Sequence, residues 1–187
     1  MNTRYLKTLS AVSVAALFLL STVFAGIAAA ATAEEINIKA NATLQKFYDE
    51  VSSGRSFVER SAGVLVFPSV VKAGAGIGGE YGEGVLYMGG RPVQYYSAAA
   101  ASIGPQLGVE NKTVILVFQD KATLDNFMNR SGWTAGIDGS VALIKVGASG
   151  SIDTATMNKP ITGFVLTNQG LMLDVSLSGL KFTKIVR

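Results

Sequence analysis

The chain has 187 residues and a formal net charge of +3, with 16 Lys and Arg against 13 Asp and Glu, and it contains neither His nor Cys. The missing cysteine excludes disulfides, thiol chemistry, iron–sulfur clusters and a lipoprotein anchor. The missing histidine removes the usual general base and the commonest transition-metal ligand, so no metal or other cofactor is expected.

The N-terminus reads as an export signal. Arg4 and Lys7 precede an almost purely apolar stretch from Leu9 to Ile27, and the alanine run Ala28–Ala31 leads to the first acids, Glu34 and Glu35. That order is the three-part secretory pattern, with cleavage after Ala31 or after Ala33. A retained anchor is the alternative, since a span needs roughly 20 apolar residues; the small residues before the acids favour removal. Residues 1–31 are therefore expected to be a signal peptide and 32–187 one domain, placed in the periplasm or outside the cell. Loss of Arg4 and Lys7 lowers the net charge to +1. No basic footprint for nucleic acid is then left.

Residues 34–53 read as a helix. At 100° per residue Ile36, Ala40, Leu44, Phe47 and Val51 fall within an arc of about 80°, Lys39 and Lys46 share a flank, and Gly54 is a candidate stop. A short helix over Ser56–Ser61 follows. Val64–Phe67 reads as a strand closed by Pro68, then comes the glycine-rich run Gly74–Gly84 and a strand Val85–Met88. Gly89-Gly90 is a turn signal, with Val93–Tyr96 as the returning hairpin strand. Thr113–Phe118 is a buried strand. Asp120 caps a helix over Lys121–Asn129, with Leu124, Phe127 and Met128 inward and Gly132 ending it. From Trp133 to Arg187 short strands alternate with glycine, among them Val141–Ile144 and Phe164–Leu166. The expected fold class is α+β: many short antiparallel strands in a curved sheet, barrel or sandwich, an N-terminal amphipathic helix, and one or two packed helices.

Gly74, Gly76 and Gly79 match the spacing of a dinucleotide fingerprint. That fingerprint requires a helix opening at its third glycine, to hold a pyrophosphate at its N-terminus. Here Tyr81, Gly82, Gly84 and another strand follow, so no nucleotide is expected. The five glycines, 74, 76, 79, 82 and 84, read instead as structural, marking bulges, corners or close backbone approach. Glu80 with Glu83, or Asp138 with Asp153, are carboxylate pairs of a kind that glycosidases use, yet acids in such turns are mostly solvated. Ser69-Val70-Val71-Lys72 has Ser–Lys spacing without its companion motifs. The sequons at Asn41, Asn111 and Asn129 are read as coincidence. The chain is expected not to be an enzyme.

The first helix has two readings. Its apolar stripe docks on the core, as most such stripes do, or it lies on a bilayer with Leu44 and Phe47 in the acyl region and Lys39 and Lys46 at the headgroups. Two cations hold weakly, at about 1 kcal/mol each near an anionic surface, and Glu50 lies on their flank.

Two long motifs resemble one family. Ala62–Pro68 with Val71–Gly74 and Gly78–Leu86 is similar to the opening of the SYLF domain, and Asn168–Gly179 to its closing motif, with Met172, Leu173, Asp174 and Ser178 departing from the usual residues. The glycine-punctuated segment from Gly132 to Gly150 is similar in pattern. The resemblance implies the fold and a lipid affinity. Over this chain only Lys39, Lys46 and Lys72 correspond to cations that could carry it. Relatives are associated with phosphoinositide membranes and with actin. An exported chain meets neither actin nor phosphoinositides, so other anionic phospholipid, a membrane surface or an envelope protein is the expected partner.

Overall fold

The computed structural model describes residues 30–144, 158–167, 170–171 and 176–187. Residues 1–29, Asp153, and parts of the Gly132–Gly150 segment and of the closing motif lie outside the described residues. Thr32–Arg187 forms a unit of its own.

Helix α1 (Ala33–Glu50) starts at a capping box. The Glu35 N–H donates to the Thr32 hydroxyl at 3.2 Å, and the Thr32 N–H donates to the Glu35 carboxylate at 2.9 Å, so two otherwise orphaned donors are satisfied. Ile36, Ala40, Leu44 and Phe47 are its buried stripe, continued by Val51 just beyond the helix. Gly54 does not end α1; it opens α2 (Gly54–Glu59), where a Cβ would come within 2.8 Å of the Phe47 ring.

Two long antiparallel strands follow, β1 (Gly63–Met88, 26 residues) and β2 (Arg91–Phe118, 28 residues). They are joined by Gly89 and Gly90, whose φ values of 55° and 76° are those of a tight hairpin turn that only glycine takes cheaply. The strand does not stop at Pro68. A bulge between Phe67 and Val70 takes up the proline, since a residue that cannot donate to the ladder is tolerated where the ladder is already broken. The Pro68 carbonyl accepts instead from the Thr113 hydroxyl at 2.9 Å. The expected separate strands of 64–67 and 85–88 are thus the two ends of one strand.

Strand β2 organises the sheet. Along its free edge it pairs with β7 (Lys181–Ile185) through Tyr95–Ala99 and with β5 (Ile161–Thr167) through Thr113–Phe118. Strand β3 (Gly132–Thr134) pairs with β7, β6 (Gly170–Leu171) with β5, and β4 (Ala142–Leu143) runs parallel to β5. Helix α3 (Lys121–Asn129) is capped by the Asp120 carboxylate, which accepts from the Thr123 N–H at 2.7 Å. Its C-cap is Arg130, and Gly132 begins β3. The result is an α+β fold on a curled sheet.

The curl comes from β1 doubling back on itself. A Cβ on Gly84 would collide with the Val66 carbonyl and the Phe67 ring, one on Gly82 with the Ser69 carbonyl and Val70, and one on Gly74 would stand 2.6 Å from the Gly78 Cα. Between the two halves lies the main core, with Leu65, Phe67, Val70, Leu116, Phe118 and Phe182 all buried. Phe127 of α3 closes it, its ring centroid 4.8 Å from Phe118, 5.1 Å from Tyr96 and 5.5 Å from Trp133. On the opposite face Val66, Ile115 and Phe164 are register partners in one row, and α1 and α2 cover them. Phe47 and Phe57 both meet the Phe164 ring edge-on, at 4.6 and 6.1 Å.

Candidate functional site

The four first-helix residues separate into two pairs. Leu44 is 8% exposed and Phe47 0%. Both are part of the fold's interior, and burying a side chain of this size stabilises a fold by about 1.5–3 kcal/mol. This corrects the bilayer reading of those two residues: the apolar stripe of α1 docks on the sheet, so it cannot at the same time enter a membrane. Lys39 and Lys46 are exposed. The Lys46 ammonium lies 3.7 Å from the Glu50 carboxylate one turn on, which halves the cationic character of that flank.

Lys72 belongs to a different environment. It sits on β1 before the bend, with its ammonium 3.8 Å from Glu80 after the bend, and Lys112 of β2 reaches the other oxygen of Glu80 at 2.8 Å. Lys112 is only 7% exposed. Register explains the meeting. Val70 pairs with Lys112, Lys72 with Glu110 and Glu80 with Ala100, and Val70 and Ala100 both adjoin the main core. The charged triad therefore caps the concave end of the core, where the doubled strand brings residues eight apart onto facing surfaces. Charges taken that far out of water require partners. Lys112 and its role were not marked in the sequence; its place two residues before the inward-facing Val114, Leu116 and Phe118 was the signal.

Of the five glycines singled out, Gly74, Gly82 and Gly84 face backbone or ring atoms at collision distance, whereas a Cβ on Gly79 would make an ordinary contact of 3.4 Å with the Ala100 carbonyl. Gly76 lies in β1. Gly78 belongs with the first group, a Cβ there coming within 2.5 Å of the Ala73 carbonyl.

The remaining candidates are accounted for locally. Asp138 receives Arg130 at 2.6 Å and accepts from the Thr134 N–H at 2.7 Å, fixing the turn after β3. Glu83 forms a bidentate pair with Arg187, and Tyr81 donates to it at 2.8 Å. Partial burial and that hydrogen bond both push the Tyr81 hydroxyl above its usual range. Burial pushes the Tyr87 and Tyr96 hydroxyls up to about 12, the Tyr95 hydroxyl beside Tyr87 adding to the effect there. Ser69 donates to Asn111 at 2.8 Å, not to Lys72. A shallow cleft of about 310 Å³ is lined by Ser140, Leu143, Ser176 and Ser178 among others. Among the described residues there is no group of three His, Cys, Asp or Glu placed to hold a metal ion, and no helix is long and apolar enough to cross a membrane.

Comparison with known proteins gives one family. Residues 99–185, from within β2 to the end of β7, match the model described as Ysc84: Las17-binding protein actin regulator. No curated protein matches the chain. The stretch includes Lys112, β5 and β7; α1 and β1, with Lys39, Lys46 and Lys72, precede it. It also contains the closing motif whose SYLF likeness was read from the residues. Residues 99–185 of this chain thus match the Ysc84 (SYLF) domain family, consistent with the likeness carried by the motifs.

Proposed function

We propose that the protein is a non-enzymatic SYLF-domain module of the cell envelope that associates with lipid or a membrane surface. The observation that carries this reading is the family match over residues 99–185. The pattern of the N-terminal residues supports export, and a sequence without His or Cys offers little to a catalytic mechanism. The association is peripheral. The apolar stripe of α1 supports the fold, so it is not what inserts.

A second reading has its own support. The family model is named for binding a protein, Las17, and in this reading the exposed surface serves a protein partner in the envelope, with no intrinsic lipid affinity. Vesicle flotation distinguishes the two. Protein purified after export, its N-terminus fixed by mass spectrometry, is centrifuged with phosphatidylcholine and phosphatidylcholine–phosphatidylglycerol vesicles. Flotation with protein-free vesicles is the expected result; protein left at the bottom with every vesicle rejects the lipid reading in favour of the partner.

A further inference from the structure

The bend of the β1–β2 ribbon has two unlike faces. On the concave side the charges are engaged with one another, Lys72 and Lys112 both pairing with Glu80. On the convex side the register sets Val71 opposite Asn111, Ala73 opposite Val109 and Tyr81 opposite Ala99, with Ala75 and Ile77 between them on β1. Ile77 and Val109 are each 77% exposed, and Val71, Ala75 and Tyr81 are exposed with them. Because Gly74 and Gly78 touch on the inner side, the odd-numbered residues between them splay outward. The bend is thus a protruding apolar ridge. Large apolar side chains gathered on a surface, unlike isolated ones, mark a contact site.

Building on the lipid-associating reading, we infer that this ridge, and not α1, is the part of the protein that enters a bilayer, with Ile77 and Val109 as its leading side chains. Charge selects the occupant. The three cations of residues 71–112, Lys72, Arg91 and Lys112, balance the three glutamates, Glu80, Glu83 and Glu110, and none of the convex positions from 71 to 81 is ionisable except the Tyr81 phenol. A neutral, apolar, convex surface complements the uncharged acyl region. It lacks the charged anchors, arginine above all, that protein partners usually engage. Tyr81, half exposed and hydrogen-bonded to Glu83 at 2.8 Å, supplies the amphipathic rim residue that sits at a membrane interface. Association by such a ridge depends on apolar contact, so it is insensitive to salt and does not require anionic lipid.

The test uses the exported protein, phosphatidylcholine vesicles, and low and high salt. Ile77→Asp with Val109→Asp is expected to lower partitioning roughly tenfold or more, as losing two inserted apolar side chains implies, while Lys39→Glu with Lys46→Glu leaves it unchanged. Since the chain has no cysteine, Ile77→Cys and Val93→Cys can each carry one environment-sensitive fluorophore. A blue shift on adding vesicles is expected at position 77 and not at position 93. Wild-type flotation that survives in the Asp variant, without a shift at 77, overturns the ridge and leaves the lipid reading standing. No flotation of the wild type removes both. A shift at 77 that grows with protein concentration without vesicles, together with a doubled mass, assigns the ridge to a second copy and also overturns the inference.

Discussion

One pair of strands makes two kinds of surface. Near its ends the β1–β2 ribbon is apolar on both faces: Leu65, Phe67 and Leu116 point into the main core, and Val64, Val66 and Ile115 lie under α1 and beside Phe164. In its middle the same ribbon carries charge on the inside and exposed apolar residues on the outside. Burial on two sides holds the first region; glycine contacts and a three-member ion cluster hold the second. The first surface is therefore closed to partners, whereas the second is open to them.

The largest expected effect comes from breaking the close approach. Gly84→Val drives a side chain into the Val66 carbonyl and the Phe67 ring, against backbone that cannot yield. It is expected to abolish cooperative thermal unfolding and soluble yield, above the 1–3 kcal/mol usual for overpacking (about). Gly79→Ala, with ordinary contact only, is expected to change stability by no more than about 0.5 kcal/mol. In the ends of the ribbon, Phe47→Ala removes a fully buried ring from Phe164 and is expected to cost about 3–5 kcal/mol by chemical denaturation.

The ion cluster comes next. Glu80→Leu leaves Lys112 enclosed without its carboxylate and is expected to destabilise by roughly 3 kcal/mol, whereas adding Lys112→Met restores much of the loss. If the single change is silent, the cluster is solvated and does not hold the bend. An alkaline titration compares the regions without mutation. The Tyr87 and Tyr96 hydroxyls are raised in the folded state, from 10.0 to about 12. Their contribution is complete below the unfolded value and fades as pH rises through the folded one. Phenolate absorbance is expected to appear in two steps, the later one between pH 10 and 12 and coincident with loss of the fold. The smallest effect is acidic. Glu35 and Asp120 are held below their usual range by hydrogen bonds from the Thr32 and Thr123 backbone and hydroxyl groups, respectively. Their capping is present above the ordinary carboxylate range and is lost as pH falls through the lowered values, a slight loss of helicity by circular dichroism.

Local signals in the sequence located the helices well. The arc of Ile36, Ala40, Leu44, Phe47 and Val51 is the buried stripe, Asp120 is the cap of α3, and Gly89-Gly90 is the hairpin turn. Each depends on neighbours a few residues away. The bend was less legible, because what fixes it is distant. Pro68 reads as a strand end until Thr113 satisfies its carbonyl, and Lys112 finds its partner, Glu80, in a distant part of the chain. The glycines at 74, 82 and 84 announced a close approach without saying to what. Membrane contact by Leu44 and Phe47 failed for the same reason: amphipathicity says that a face is buried, not against which partner.

The doubled ribbon also constrains how the chain reaches its native state. Pairing can zipper outward from the two-glycine turn, but each added rung joins residues farther apart, until Gly63 meets Phe118 across most of the domain. The self-contact of β1 and the docking of β5 and β7 require that ribbon first. Such a topology folds slowly, since loop closure must precede the contacts that reward it. Because the chain has no cysteine, no covalent crosslink can trap a misregistered pairing while that slow closure is completed.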